Sequence, residues 1–374
     1  MGAEIQKQWK DWAFLQVAPD LYWIWRGEWS ASSSPQAETP SVWFSDFFLK
    51  NRLPWLSPSG GGGTTLVRRD QWLGHWGIDA SQVSERARSV FWEKPREAFF
   101  EAHFETLQEW IEAGVLKKGV PVASCRAFFR EDSREDEDSL LAQVVALLTR
   151  VPQLPSHLHA YGFCKEGKGF IGATPEVLFA LDTGRRLTTM ALAGTQRTQL
   201  SSAFGQTSKD QSEHFAVVED IEGRLDRLAI PGTLRRGPTE VLRFGILEHL
   251  HTPIEAELPS QVSFEQLLLL MHPTAALGVH PRVKAGHRWL DKMDAFDRRE
   301  SFGAPFGAVF PDGSALALVA IRQIQFDARG LKLWAGAGVV AESQLDKEWS
   351  EILLKMESIC RTFDLPGWKG ECLS

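Results

Sequence analysis

Apolar residues recur at helical spacing through residues 95–113, where Phe99, Phe100, Phe104, Leu107, Trp110 and Ile111 share one side. The same period predicts helices over 139–150, 208–228, 264–270 and 347–363. Alternating or continuous apolar runs predict strands over 120–129, 160–163, 169–171, 177–181, 187–192, 307–310, 315–326 and 331–335. Short turns rich in Gly and Asp separate neighbouring runs, as at Pro311-Asp312-Gly313, so antiparallel sheet is expected. Helices inserted between strand runs make the class α+β rather than a regular βαβ repeat. The pattern changes near residue 100. Before it lie shorter strand-like pieces (21–25, 66–68), a Ser/Pro-rich loop at 30–40, and four consecutive glycines, Gly60 to Gly63. Thr64-Thr65-Leu66-Val67 follows those glycines and reads as a strand, so they predict a hairpin tip or a flexible loop and not a phosphate cradle.

Composition narrows the function classes. The 374 residues are 43% hydrophobic and 24% charged, enough for one large domain or two smaller ones and too apolar for a disordered chain. A net charge of −7 lacks the basic face that a general nucleic-acid binder needs. No apolar run reaches transmembrane length, and the first residues carry no signal-peptide core. A cytoplasmic protein without membrane or nucleic-acid partners is expected, and a monomer. The four cysteines have no paired spacing, so reduced thiols are expected and not a disulfide or zinc framework. Fifteen Trp against two Tyr is unusual, and packing accounts for it without a function. The acidic stretch from Glu131 to Asp138 reads as a solvated loop.

Two predicted helices carry carboxylates on one face. Asp210 and Glu213 are three apart, with Val217 and Asp220 continuing the stripe; Glu348, Glu351 and Lys355 form a second stripe. Exposed acidic pairs are common, yet two such faces could converge on a hard divalent cation such as magnesium. Ala335-Gly336-Ala337-Gly338 precedes the second helix. It is either a plain turn or a place where backbone N–H groups approach an anion. Arg322 and Lys355 could supply fixed positive charge. In Gly172-Ala173-Thr174-Pro175-Glu176 the proline predicts a turn or a first helical residue. Glu176 then either favours a helix dipole or, partly buried, acts as an acid with a raised pKa. Ala191 to Thr195 ends another strand at a small turn.

Taken together, the motifs GATPE (172–176), ALAGT (191–195), SKDxxEH (208–214), HPTAAL (272–277), RESFGAPFG (299–307), AIR (320–322), AGAGVV (335–340) and EWSEILLK (348–355) resemble the chorismate-utilising enzymes. That family holds isochorismate synthase, salicylate synthase, anthranilate synthase component I and aminodeoxychorismate synthase. The resemblance spans roughly residues 160–360. It implies two stacked, mostly antiparallel sheets flanked by helices, with the site in a cleft between them. It also implies a divergent Trp-rich part over 1–100, packed on the same fold, and a chorismate-binding catalytic region over 101–374. Glu213 and Glu351 resemble the Mg2+ ligands, with Asp210 and Glu348 their companions. Glu176 resembles the general acid that protonates the departing 4-hydroxyl. Arg322, Lys355 and the backbone of Gly336 and Gly338 resemble the holders of the substrate carboxylates. Gly194, Thr195, Ala276 and Leu277 resemble the ring-binding wall, and His249 the histidine beside the ring.

Within the family, Ala193 stands where some aminodeoxychorismate synthases carry a nucleophilic Lys, which closes that covalent route. The ALAGT form resembles the water-adding branch, whose base is a Lys opening a strand. Aligned from its front, the segment 116–126 gives Lys118 that role; aligned from Arg126, Pro121 takes the position and the base is missing. The expectation is a Mg2+-dependent isochorismate synthase acting on chorismate. Salicylate synthase is the nearest alternative, and a non-catalytic chorismate-binding protein follows if Lys118 is not the base. Isochorismate commonly feeds menaquinone or catecholate siderophore synthesis, and no residue here chooses between them.

Overall fold

The computed structural model describes residues 11–59, 62–79, 90–129, 136–198 and 204–368. Two large antiparallel sheets dominate it. Sheet I has nine strands in the order β6 (Gly63–Arg68), β2 (Leu21–Arg26), β1 (Trp12–Ala18), β10 (His159–Lys165), β11 (Lys168–Thr174), β20 (Gln323–Asp327), β21 (Gly330–Gly336), β9 (Val122–Phe129) and β7 (Val90–Trp92). Sheet II has ten: β14 (Arg235–Arg236), β16 (Leu247–Glu257), β13 (Arg186–Arg197), β12 (Val177–Leu181), β19 (Ala315–Val319), β18 (Pro305–Val309), β4 (Ser41–Phe44), β5 (Trp55–Pro58), β3 (Trp29–Ser32), with β15 (Glu240–Phe244) also on β16. A short pair, β8 (Lys118–Gly119) with β17 (Val279–His280), stands apart.

The alternation of strand side chains builds two apolar layers. From β1, Ala13 and Leu15 enter a layer shared by both sheets, with Tyr161, Phe163, Phe170, Phe306 and Leu318. Trp12 and Phe14 of the same strand face the other way and pack on Trp72 and Trp76 of α1 (Trp72–Trp76). Six tryptophans are fully buried, so much of the unusual Trp content is core material. Helices α2 (Glu97–Glu112), α3 (Asp136–Arg150), α4 (Ser208–Leu225), α5 (Phe264–Met271), α6 (Lys284–Phe296) and α7 (Leu345–Thr362) flank the sheets. The first hundred residues supply strands to both sheets, so sheet I and sheet II each span the boundary near residue 100.

Three expectations need correction. The apolar run 315–326 is two strands in different sheets, because the chain turns at Ala320 to Arg322 and Arg322 takes φ 54°. Pro175-Glu176 begins no helix; it is a corner between β11 and β12, where the Thr174 hydroxyl accepts from the Glu176 N–H at 3.1 Å. The loop at 30–40 begins with strand residues, since β3 extends to Ser32. Helix α6 and strand β16 are additions. Gly286 lowers the helical signal of α6, but a Cβ there would meet Val279 at 2.6 Å, so glycine lets the helix close on β17. Gly60, Gly61 and most of the acidic stretch lie outside the described residues. Cys125, Cys164 and Cys360 are buried. Among the described residues no helix is long and apolar enough to cross a membrane.

One buried ion pair fixes α4 against the loop after α5. Arg224 donates to Asp220 and, through Nη1, to the carbonyls of Leu270, Met271 and Pro273 at 3.1, 2.7 and 3.0 Å. Asp220 also accepts from the Ala275 N–H at 2.8 Å. Removing the guanidinium leaves a buried carboxylate without its charge partner and takes a donor from three carbonyls, two of which Arg282 also reaches. The substitution Arg224→Met is expected to cost about 3–5 kcal/mol in urea unfolding; a loss below about 1 kcal/mol would mean the pair contributes little.

Candidate functional site

The two sheets are joined by a pair of crossovers that touch. The chain passes from β11 to β12 through Pro175-Glu176, and from β19 back to β20 through Ala320-Ile321-Arg322. The Val319 N–H donates to the Glu176 carbonyl at 3.1 Å, and the Ala173 N–H donates to the Arg322 carbonyl at 3.2 Å. Tyr161 reaches across from β10 and donates its hydroxyl to the Ile321 carbonyl at 2.7 Å. Glycine at 172 makes room for it, since a Cβ there would lie 2.5 Å from the Tyr161 oxygen. These contacts hold Glu176 and Arg322 on the wall of one cleft.

The same cleft is lined by Lys118, Gly194, Thr195, Glu213, His249, Ala276, Leu277, Gly336, Gly338 and Lys355, residues drawn from most of the motifs. Lys118 is 1% exposed. Its strand is held on one side by β17 and on the other by reciprocal backbone bonds between Gly119 and Val339 at 3.2 and 2.9 Å. Lys118 faces the cleft, whereas Pro121 is occupied in accepting from the Ala337 N–H. Gly194 and Thr195 sit where the β13–β16 register shifts between Ala193 and Gln196. Such a bulge turns backbone groups out of the ladder. The Gly194 carbonyl meets His249 Nδ1 at 2.8 Å, and His249 Nε2 meets Arg322 Nη2 at 3.0 Å. A carbonyl can only accept and a guanidinium only donate, so His249 carries its proton on Nδ1 and is neutral. Burial, with Arg322 and Lys355 nearby, pushes it well below the ordinary histidine value.

Helices α4 and α7 bring carboxylates together as their spacing suggests. Lys209 Nζ lies among them, 2.9 Å from Glu213, 3.2 Å from Glu348 and 3.8 Å from Glu351. Lys355 pairs with Glu351 at 2.6 Å and donates to the Gly336 carbonyl at 2.6 Å; Lys118 stands 3.5 Å from Glu213. Burial pushes Glu213 up, but Lys209, Lys118 and Lys355 outweigh it and hold the carboxyl well below the usual range. Burial and the Glu351 carboxylate push Glu348 up. Burial lowers the Lys118 ammonium against the opposing pull of Glu213. Glu176 is pushed up to about 7 by burial, which outweighs Lys118, Lys355 and Arg322.

Asp210 is not brought to this cluster. Its position in the first turn of α4 bends its carboxylate back to accept from the Gly205 N–H at 3.2 Å. Gly336 and Gly338 act through missing side chains as well as backbone: a Cβ at 338 would lie 2.0 Å from Glu213 Oε1 and 2.8 Å from Lys118 Cε. Sequence reasoning gave no role to Lys209, although it lies inside SKDxxEH. Nor did it find the apolar wall of Leu192, Ile321, Phe302 and Trp334, the last two rings stacked at 5.9 Å. Phe302 stands in the RESFGAPFG motif and was available there as a signal.

The cleft thus offers a buried acid, a buried amine, a guanidinium and oxygen donors of the hard kind that Mg2+ takes. Among the described residues no three His, Cys, Asp or Glu side chains stand close enough to ligate one ion as they are. They instead surround the Lys209 ammonium, a cation standing where their charge converges, so the donor set fits a metal while its spacing is that of an ammonium.

The profile of the chorismate binding enzymes matches residues 132–364. The chain belongs to that family. A salicylate biosynthesis isochorismate synthase from Pseudomonas aeruginosa is 32% identical over 217 residues, 56% of this chain and 45% of that protein. The isochorismate synthase MenF of Haemophilus influenzae is 32% identical over 295 residues, 70% of this chain and 67% of that protein. The chain therefore spans under half of the first relative's length. The solved structure of the menaquinone-specific isochorismate synthase MenF from Escherichia coli has the same fold, with a TM-score of 0.72 at 21% identity over 97% of this chain and 91% of that one.

The absence of a side chain at Gly338 leaves room for Glu213 and Lys118 at the cleft. The Gly338 backbone is not left-handed, so Gly338→Ala keeps an allowed conformation and acts on the cleft alone. It is expected to displace Glu213 and Lys118 and to weaken chorismate binding, measured by calorimetry, about tenfold or more. Unchanged affinity would show that this corner does not meet the ligand.

Proposed function

We propose that this chain is a Mg2+-dependent isochorismate synthase, which adds water at C2 of chorismate and expels the C4 hydroxyl. The observation that carries the proposal is that Lys118 and Glu176, a buried amine and a buried carboxyl with opposite pKa pressures, line one cleft. Lys118, in its neutral form, takes a proton from the attacking water as the new C2–O bond forms. The ring double bonds shift, the C4–O bond breaks, and Glu176 gives its proton to the departing oxygen. One water enters and one leaves, so the product is an isomer of the substrate. Arg322, aimed by the Ile321 turn and braced by neutral His249, suits a substrate carboxylate. The apolar wall of Leu277, Phe302 and Trp334 suits the ring face.

Glu213 and Glu351, with Glu348 beside them, are the residues that would hold Mg2+. Its chemistry there is to neutralise a substrate carboxylate and so stabilise charge developing during ring rearrangement. Ala193 in the cleft offers no amine, which favours water over a nitrogen nucleophile. The relatives named as isochorismate synthases support the same branch.

Two measurements test the reading. Infrared difference spectra between the wild type and Glu176→Gln should contain a protonated carboxyl band below pH 7. The band should fade as pH rises through about 7, because the raised pKa keeps the proton on until then. The same variant should lose about 100- to 10,000-fold in turnover while still binding chorismate. Retained turnover would remove Glu176 as the acid. Second, purified protein incubated with chorismate, with Mg2+ or with EDTA, should give isochorismate only with Mg2+. Salicylate with pyruvate would move the chain to the salicylate synthases, and binding without product would make it a chorismate-binding protein.

A further inference from the structure

Lys209 has no part in the chemistry above, yet it occupies the focus of the carboxylate cluster. Its ammonium stands 2.9 Å from Glu213, 3.2 Å from Glu348 and 3.8 Å from Glu351. Those three carboxylates are between 2% and 7% exposed at their side chains, and Lys209 is 22% exposed. Lys118, by contrast, is enclosed at 1%. Lys355, tied to Glu351 and to the Gly336 carbonyl, is 17% exposed, so Lys209 is the most exposed of the three ammoniums.

Its place on the helix is unfavourable by itself. Thr207 caps α4, so Lys209 stands in the first turn, where the helix dipole disfavours positive charge. What holds the ammonium is the carboxylates, which also raise its pKa against the lowering effect of burial. A divalent ion drawn to the same oxygens would meet a resident positive charge. Mg2+ needs oxygens at about 2.0–2.1 Å, and the oxygens around Lys209 are spread at ammonium distances.

Resting on the reading that these carboxylates take Mg2+, we propose that Lys209 is the resident counter-ion of the metal site and must swing out to solvent when the ion binds. In the metal-free protein it neutralises Glu213 and Glu348 and keeps α4 and α7 together. On metal binding it is released, so the protein binds Mg2+ less tightly than the same carboxylates would without it. The arrangement makes metal binding and helix attachment a single exchange of one cation for another.

The test measures metal binding directly. Calorimetry with Mg2+, and electron paramagnetic resonance with Mn2+, are run on the full chain without chorismate for the wild type, Lys209→Met and Lys209→Gln. Both variants should bind the ion at least tenfold more tightly than the wild type, and should melt at lower temperature until the ion is added. Equal affinity in all three proteins would overturn the exchange. A second readout uses the wild type alone and does not depend on how a variant folds. Reductive methylation followed by peptide mass spectrometry should find Lys209 protected in EDTA and labelled at saturating Mg2+. Protection that persists at saturating Mg2+ would also overturn the proposal. Absence of metal binding by every protein, together with unchanged titrations in Glu213→Gln, would instead remove the metal reading on which it rests.

Discussion

The site depends on two hydrogen bonds between chain crossovers. Each sheet lends the other a hairpin: β10 and β11 of sheet I lead into β12 and β13 of sheet II, and β18 and β19 lead back into β20 and β21. The crossings lie side by side, tied by Val319 to Glu176 and Ala173 to Arg322. A crossover cannot keep the ladder of either sheet, so its backbone groups must find partners elsewhere. Here they find each other, and the corner that results points a carboxyl and a guanidinium into one cleft. Arg322 holds φ 54°, a conformation uncommon for a residue with a Cβ. Tyr161 and the absent side chain of Gly172 secure it from beneath. Glu176 and Arg322 are therefore positioned by the junction of the two sheets and not by a free loop.

Around that junction the charges are buried in balanced groups. Three carboxylates face three ammoniums across α4, α7 and β8. Taking any one of them out of water alone would be strongly unfavourable, and each is tolerable because its partners come with it. The framework resists rearrangement for the same reason. Arg224 binds α4 to the loop bearing Ala276 and Leu277, so the helix that carries Glu213 and the wall that faces it move together. Preorganisation of this kind lets a site act on a charged substrate without spending free energy on reorienting its own dipoles.

Much of this was legible in the sequence, but unevenly. The stripe of Glu348, Glu351 and Lys355 follows from helical period, and the structure keeps it intact. Motif order gave the family and placed Glu176, His249 and Arg322 together, though they are far apart in the chain. Spacing failed at Asp210 because a first-turn side chain has backbone donors within reach, here Gly205, that compete with its helical face. It failed at 315–326 because two consecutive apolar strands look alike whether they share a sheet or change sheets. Lys209 lies one turn from Glu213, but its other two partners lie more than a hundred residues away on α7, which spacing does not reveal. Gly338 reads as part of a turn, while in the fold glycines 172, 286 and 338 each mark a place where another side chain must fit.

The environment also separates the carboxyls by task. Glu176, Glu213 and Glu348 are all buried, and burial alone would push all three up. Glu213 goes down instead because Lys209, Lys118 and Lys355 surround it, and an ionised carboxylate is what a hard cation requires. Glu176 meets positive charge only at longer range, and burial wins, which leaves a proton to donate near neutral pH. Lys118 is pressed the other way: burial favours the free amine that can accept a proton, and Glu213 limits how far that goes. Three glutamates and a lysine, all buried, are thus pressed in different directions according to which charges stand beside each one. Under the proposed exchange of Lys209 for Mg2+, the charge beside Glu213 and Glu348 would change without any group touching the substrate.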